Sequence, residues 1–189
     1  RVEFGLGTGW FEAEHRAYGI PFPSRRFDVF EEQLAVITGL WAADGPFSFS
    51  GDHYTLVDAP ALPKPVQPRV PVIVGGGGPR RTPAIAARFA SEFNIGFQPE
   101  AVIAEKFATV RAACEQVGRD PESLKLSVAL TTVAGEDGAA LERRAAAIGR
   151  APADIRNDVD VVGDADEIAA KVERLAALGA RRVYFRLMG

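Results

Sequence analysis

Four consecutive glycines, Gly75, Gly76, Gly77 and Gly78, run into Pro79, Arg80, Arg81, Thr82 and Pro83, and this is where the chain most plainly offers chemistry. The apolar run Val70–Val74 precedes them and a small-residue helical pattern follows, so the loop joins a strand to a helix. Glycine accepts positive φ and lets a ligand approach the backbone without meeting a Cβ. Thr82 is suited to cap the helix and Pro83 to its first position. Unbonded N–H groups at a helix start, beside the cations of Arg80 and Arg81, make an anion site, and phosphate is the natural guest. The plainer alternative is a tight strand-to-helix turn. No Gly-Lys-Ser/Thr follows, which excludes a Walker loop, and "GLGTGW" lacks the dinucleotide-binding spacing.

Such a loop needs elements that hold it, and the pattern supplies them. Strands are predicted at Val2–Leu6, Val70–Val74, Phe93–Phe97, from Leu124 to Thr131, and at Val183–Leu187. Val70–Val74 reads as buried on both faces. Leu124, Leu126, Val128 and Leu130 alternate with Lys125, Ser127, Ala129 and Thr131. Helices are predicted at Asp28–Ala43, where Asp28 and Glu31 have capping-box spacing, and from about Pro83 to Ala90. Further helices run from Glu100 to Val117, near Ala139–Ile148, and from an Asp164 cap to Gly179, with a less regular stretch before Asp164. "FSFSGDHYTL" reads as a hairpin insertion near residues 46–57, and the proline-rich "DAPALPKPVQPRVP" as a rigid connector.

Strands alternating with helices imply an α/β fold with parallel pairing. Five strands suit either an open doubly wound sheet or part of a (β/α)8 barrel, which takes about 250 residues when whole. The chain has 189, read here as a single domain spanning 1–189. It opens on Arg1 directly ahead of a strand, from which we expect that the N-terminal part of a larger domain precedes it. The net charge of −3 argues against nucleic acid as the main partner. The single cysteine, Cys114, on a helical stripe, excludes an internal disulfide and a multi-cysteine metal site, and fits a cytoplasmic setting. No apolar run reaches the ~20 residues of a membrane span, and no metal site is expected.

Taken in order, "GLGTGWFEAEHRAYGIPFP", "RFDVFEEQLAVITGLW", "FSFSGDHYTL", "APALPKPVQPRVPVIVGGGGPRRT", "AARFASEFNIG", "CEQVGRDPESLKLSVALTTVAG" and "VVGDADEIAAKVERLAALGARRVYFRL" resemble the luciferase-like monooxygenase superfamily, in its coenzyme F420-dependent branch. The resemblance covers nearly the whole chain. It implies a TIM barrel in which Val2–Leu6 is the fourth strand, so that the first three strands are absent from this sequence. It implies a cofactor phosphate over Gly75, Gly76, Gly77, Gly78, Arg81 and Thr82. Some relatives carry serines at the positions of Gly77 and Gly78. Their absence here leaves backbone amides as donors and leaves coenzyme F420 and FMN open as cofactors.

On the same resemblance, Trp10 and His15 follow a strand on the pocket side, and Asn94 lies near the mouth, where it could bond a cofactor edge. Each has a plainer structural reading, His15 as a surface or packing histidine and Trp10 as core. Arg186 near the end of the last strand could meet a phosphate or form a salt bridge. Arg181 and Arg182 face the stability end. Glu12 and Glu14 read as solvated, and His53 and Trp41 as structural. The proton-handling residues of many F420 enzymes lie on early strands, so no catalytic residue is assigned. The implied function is hydride transfer between coenzyme F420 and a small organic substrate. An FMN-dependent monooxygenase is the alternative, and a non-catalytic cofactor- or phosphate-binding barrel is the alternative of another class. Members often pair as homodimers, and no stretch here marks an interface.

Overall fold

A computed structural model describes residues 2–155 and 159–188. Its strands are β1 (Phe4–Leu6), β2 (Phe47–Ser50), β3 (Thr55–Ala59), β4 (Val72–Gly75), β5 (Glu92–Gly96), β6 (Lys125–Ala134), β7 (Val161–Gly163) and β8 (Arg182–Leu187). Its helices are α1 (Glu12–Ala17), α2 (Arg26–Ala42), α3 (Arg81–Phe89), α4 (Glu100–Gln116), α5 (Gly138–Ala147), α6 (Pro152–Ile155) and α7 (Ala165–Ala177), with a 3-10 turn at Pro121–Ser123.

The sheet order β1-β4-β5-β6 continues to β8, and every one of these pairings is parallel. Strands adjacent in space are thus consecutive staves in sequence, each step bridged by a helix. β2 and β3 form the separate antiparallel hairpin expected from the sequence. Glu32 on α2 fixes its turn by accepting the backbone N–H groups of Asp52, His53 and Tyr54.

One face of the sheet is greasy. Val72, Val74, Phe93, Ile95, Leu126, Val128 and Leu130 are buried there against Phe30 and Leu34 of α2, Ile85 of α3, and Ile103, Phe107 and Val110 of α4. Full burial of each such side chain contributes about 1.5–3 kcal/mol. Cys114 belongs to the same core, and burial pushes its thiol up. The other face carries Glu92, Asn94, Lys125, Ser127, Thr131, Arg182, Tyr184 and Arg186, cross-linked by their own polar contacts. Thus β6 alternates because its two sides meet different environments.

The structure corrects several expectations. β7 lies in the stretch read as irregular, of which residues 156–158 lie outside the described residues. It pairs Thr132–Ala134 on the side of β6 that β5 leaves after Gly96. α1 forms at Glu12–Ala17, where the sequence pattern predicts no helix. β4 is buried on one face only, since Ile73 and Gly75 are half-buried. Asp28 and Glu31 do not cap α2, which starts at Arg26 without a side-chain cap. Both carboxylates turn instead to α3. Asp164 does cap α7, and with Glu167 it completes a reciprocal capping box. Arg182 does not precede the last strand but opens it, at the end away from the glycine loop.

Candidate functional site

The glycine loop leaves β4 at the carboxyl ends of the strands, the end where parallel α/β folds bind ligands. Gly75 pairs with Asn94, and the Gly76 N–H donates to the Asn94 carbonyl at 3.2 Å. Gly76 has φ +139°, open to glycine and rarely to other residues. A Cβ on Gly77 would meet nothing within 4 Å, so the exposed loop is unobstructed there. A Cβ on Gly78 would fall 2.7 Å from Thr82 Oγ1, so the chain has no room for one.

α3 begins at Arg81, with Arg80 as an N-cap residue that offers no side-chain bond. This corrects the expected cap. Thr82 sits inside the first turn, 3% exposed, with its hydroxyl against Gly78, and Pro83 follows it rather than opening the helix. The Gly77 and Gly78 amides make no backbone hydrogen bond among the described residues. The first N–H groups of a helix have no intrahelical partner. Those of Arg81 and Thr82 therefore add to a donor cluster at the loop.

The two arginines part company. Arg81 lies 2.8 Å from Asp28 and 3.2 Å from Glu31, and its guanidinium also lies over the Phe27 ring. Hydrogen bonds from Arg81, and then from Arg25, hold the Asp28 carboxyl below its usual range, while the bond to Asp28 raises Arg81. Arg81 therefore ties α3 to α2, helped by the Arg88–Glu31 pair. Arg80 is exposed and makes no ion pair among the described residues, so it is the cation left beside the loop. Phe27, which the sequence did not single out, also stands 3.7 Å from where a Gly78 Cβ would be.

The loop after β1 lies alongside, since a Cβ on Gly7 would come within 3.7 Å of the Gly75 carbonyl. His15, on α1, puts Nε2 2.7 Å from the place of a Gly9 Cβ, and Gly9 has φ +63°. Its Nδ1 lies 3.2 Å from the Pro21 carbonyl, an acceptor only, so that nitrogen carries the proton. A Phe22 ring packs edge-on at 5.1 Å. His15 is thus a half-buried clamp on the β1 loop. Trp10 is 77% exposed and touches Phe11, so it is not core. Asn94 donates to Ser127 Oγ at 2.9 Å on the polar face of the sheet, one rung from the loop.

The structure brings Gly75–Gly78, Arg80, Thr82 and Asn94 together, with the β1 loop beside them. His53 stands apart at the exposed hairpin turn, and Trp41 packs edge-on against Phe4. A cavity of about 660 Å³ lies elsewhere, walled by Trp41, Phe47, Phe49 and Phe89 and reaching Val72, at the far end of β4 from the glycines. Among the described residues no cluster of His, Cys, Asp and Glu is placed to hold a metal ion. Nor is any helix long and apolar enough to cross a membrane.

Comparison with known proteins fits this frame. The model of the family described as luciferase-like monooxygenase matches residues 1–160. The FMNH(2)-dependent dimethylsulfone monooxygenase of Pseudomonas putida is 37% identical over 90 residues, covering 47% of this chain and 24% of that protein. The pyrimidine monooxygenase RutA of Cronobacter sakazakii is 30% identical over 147 residues, covering 74% of this chain and 42% of its own length. The chain therefore spans less than half of these curated relatives. Among solved structures, an F420-dependent secondary alcohol dehydrogenase in complex with an F420-acetone adduct superposes with a TM-score of 0.81 at 20% identity. That match takes in 99% of this chain and 64% of the other, so the five consecutive staves are part of a luciferase-like TIM barrel.

Proposed function

The chain belongs to the luciferase-like monooxygenase family, and from that membership we propose that it carries the phosphate-gripping half of an oxidoreductase that passes a hydride between coenzyme F420 and a small organic substrate. The observation that carries this reading is the open space at Gly77, on a loop whose Gly77 and Gly78 amides make no backbone hydrogen bond and whose Arg80 makes no ion pair among the described residues. An unobstructed glycine backbone with free donors, placed at the strand ends, suits the ribityl phosphate of a deazaflavin or flavin. In this reading the amides of Gly77 and Gly78, with the first N–H groups of α3, hold the phosphate, and Arg80 balances its charge. Thr82 keeps the loop's shape by packing its hydroxyl against Gly78. Arg81, held by Asp28 and Glu31, fixes where α3 starts. Asn94, with its amide bonded to Ser127, offers its carbonyl edge beside the loop. The bound deazaflavin would supply the hydride chemistry.

FMN is the second reading, and one observation favours it: the curated relative at 37% identity is named as FMNH(2)-dependent. Reduced flavin would then activate oxygen for a monooxygenase. Support for the deazaflavin comes from the F420-dependent dehydrogenase fold, which overlays 99% of the chain. Equilibrium binding of coenzyme F420 and of FMN to the full-length protein separates them. At least tenfold tighter binding of F420 is the expected result. Tighter binding of FMN moves the assignment to monooxygenase chemistry, and binding of neither overturns the cofactor role given to the glycine loop.

A further inference from the structure

Two arginines stand on the polar face of β8 four residues apart, and the chain treats them differently. Arg182, at the far end from the glycine loop, is gripped by Glu3 at 2.6 Å and by Glu92 at 3.0 Å. Arg186, at the mouth end, meets no carboxylate among the described residues. Its Nη2 donates to Thr131 Oγ1 at 2.7 Å, and its guanidinium lies 4.5 Å from the centroid of the Phe97 ring. One donor of five is used, and the planar fork remains open.

Phe97 is itself unusual. It follows β5 with φ +56°, a left-handed conformation that costs an aromatic residue about 1–3 kcal/mol. Its N–H is fixed on the Ala129 carbonyl at 3.0 Å. The chain thus holds the ring of a backbone-strained residue under a guanidinium that meets no carboxylate among the described residues, at the strand ends. Cation–π contact and the Thr131 hydroxyl fix the guanidinium's position without neutralising it. A fixed, unneutralised guanidinium fork matches a planar oxyanion, which it grips through two parallel hydrogen bonds.

From this geometry we propose that Arg186, stacked on Phe97 and braced by Thr131, is a specificity residue that selects substrates bearing a carboxylate. This rests on the reading that the strand ends form the substrate mouth, and it names the substrate class of that site. The cofactor phosphate does not account for Arg186. Three strand spacings separate β4 from β8, roughly 14 Å at the usual interval, so a phosphate seated at Gly77 is out of its reach.

Benzoate and benzamide are nearly isosteric and differ in charge, so they serve as probes in calorimetric titrations of the full-length protein. The expected result is benzoate binding at least tenfold tighter than benzamide, with the ratio falling to about one in Arg186→Gln and to an intermediate value in Arg186→Lys. Coenzyme F420 or FMN, titrated into the same variants, is expected to bind as in the wild type, which also shows that they are folded. A wild type that does not prefer benzoate, or an Arg186→Gln protein that still does, overturns the proposal. So does loss of cofactor affinity in a folded Arg186→Gln protein, which would put Arg186 in the cofactor site. If neither cofactor binds the wild type but the benzoate preference is present and vanishes in Arg186→Gln, the cofactor reading fails and the anion site stands.

Discussion

Gly77→Leu separates a ligand cradle from a mere turn. A Cβ at this position meets no atom within 4 Å, so a leucine side chain enters open space and the fold is expected to tolerate it, within about 0.5 kcal/mol for an unencumbered surface site. The same side chain would occupy the space where the phosphate is proposed to sit. Losing two charge-assisted hydrogen bonds, at about 1.5–3 kcal/mol each, weakens cofactor binding by a hundredfold or more. Gly78→Ala is the internal contrast. Its methyl would lie 2.7 Å from the hydroxyl of the buried Thr82, so it strains the loop itself and costs about 1–3 kcal/mol of stability. The assay pairs a thermal melt with cofactor titration by fluorescence on the full-length protein. Gly77→Leu should melt like the wild type and bind poorly, whereas Gly78→Ala should melt early. A Gly77→Leu protein that binds F420 and FMN with wild-type affinity refutes the phosphate cradle.

Three further predictions follow from the scaffold. Glu92 is 2% exposed, pairs with Lys125 and Arg182, and accepts the Tyr184 hydroxyl, so Glu92→Ala should cost about 2–4 kcal/mol in urea denaturation and Glu92→Gln less; equal losses would argue against a charge role. Glu100 is held below the usual carboxylate range first by a hydrogen bond from Lys171, against the opposing cost of burial, and then by Arg174. Because the unfolded chain takes up that proton first, the pair's contribution is complete above the usual carboxylate range and is lost as pH falls through the lowered folded value. Melting temperatures measured from about pH 6 to about pH 3 should thus fall less steeply for Glu100→Gln than for wild type, and parallel curves would contradict this. Finally, among the described residues β1 and β8 each pair on one side only, with Phe185 and Leu187 exposed beside the second edge. Residues 1–189 produced alone should therefore self-associate in gel filtration as concentration rises; a monodisperse monomer that unfolds cooperatively would refute it.

What could be read from sequence divides along the range of the interactions. Periodicity carried the staves because a buried face is written every second residue in β6 and at helical spacing in α4. It also carried the position of the glycine loop, since strand, glycines and helix are contiguous. Three-residue β7 escaped because a segment so short has no period, and its partner is a register extension at Thr132–Ala134. The partner of Asp28 and Glu31 escaped for a different reason. Two carboxylates at capping-box spacing are equally placed to face a neighbouring helix, and the arginine that claims them lies 50 or more residues away, a distance only the tertiary fold removes.

That pairing bears on the proposed site. With Arg81 paired to α2, the proposed phosphate cradle would rest on the positive end of α3, the loop amides and Arg80, and so mainly on backbone. Backbone donors do not distinguish one ribityl phosphate from another. Discrimination between deazaflavin and flavin must therefore come from groups that face the rings, and Asn94 and Ser127 on the polar face are the nearest to the loop. The proposed substrate site lies on the opposite side of the strand ends, where Phe97 and Arg186 stand. On this proposal the glycine loop would hold a cofactor of this class, and the strand faces beyond it would set which cofactor and which substrate.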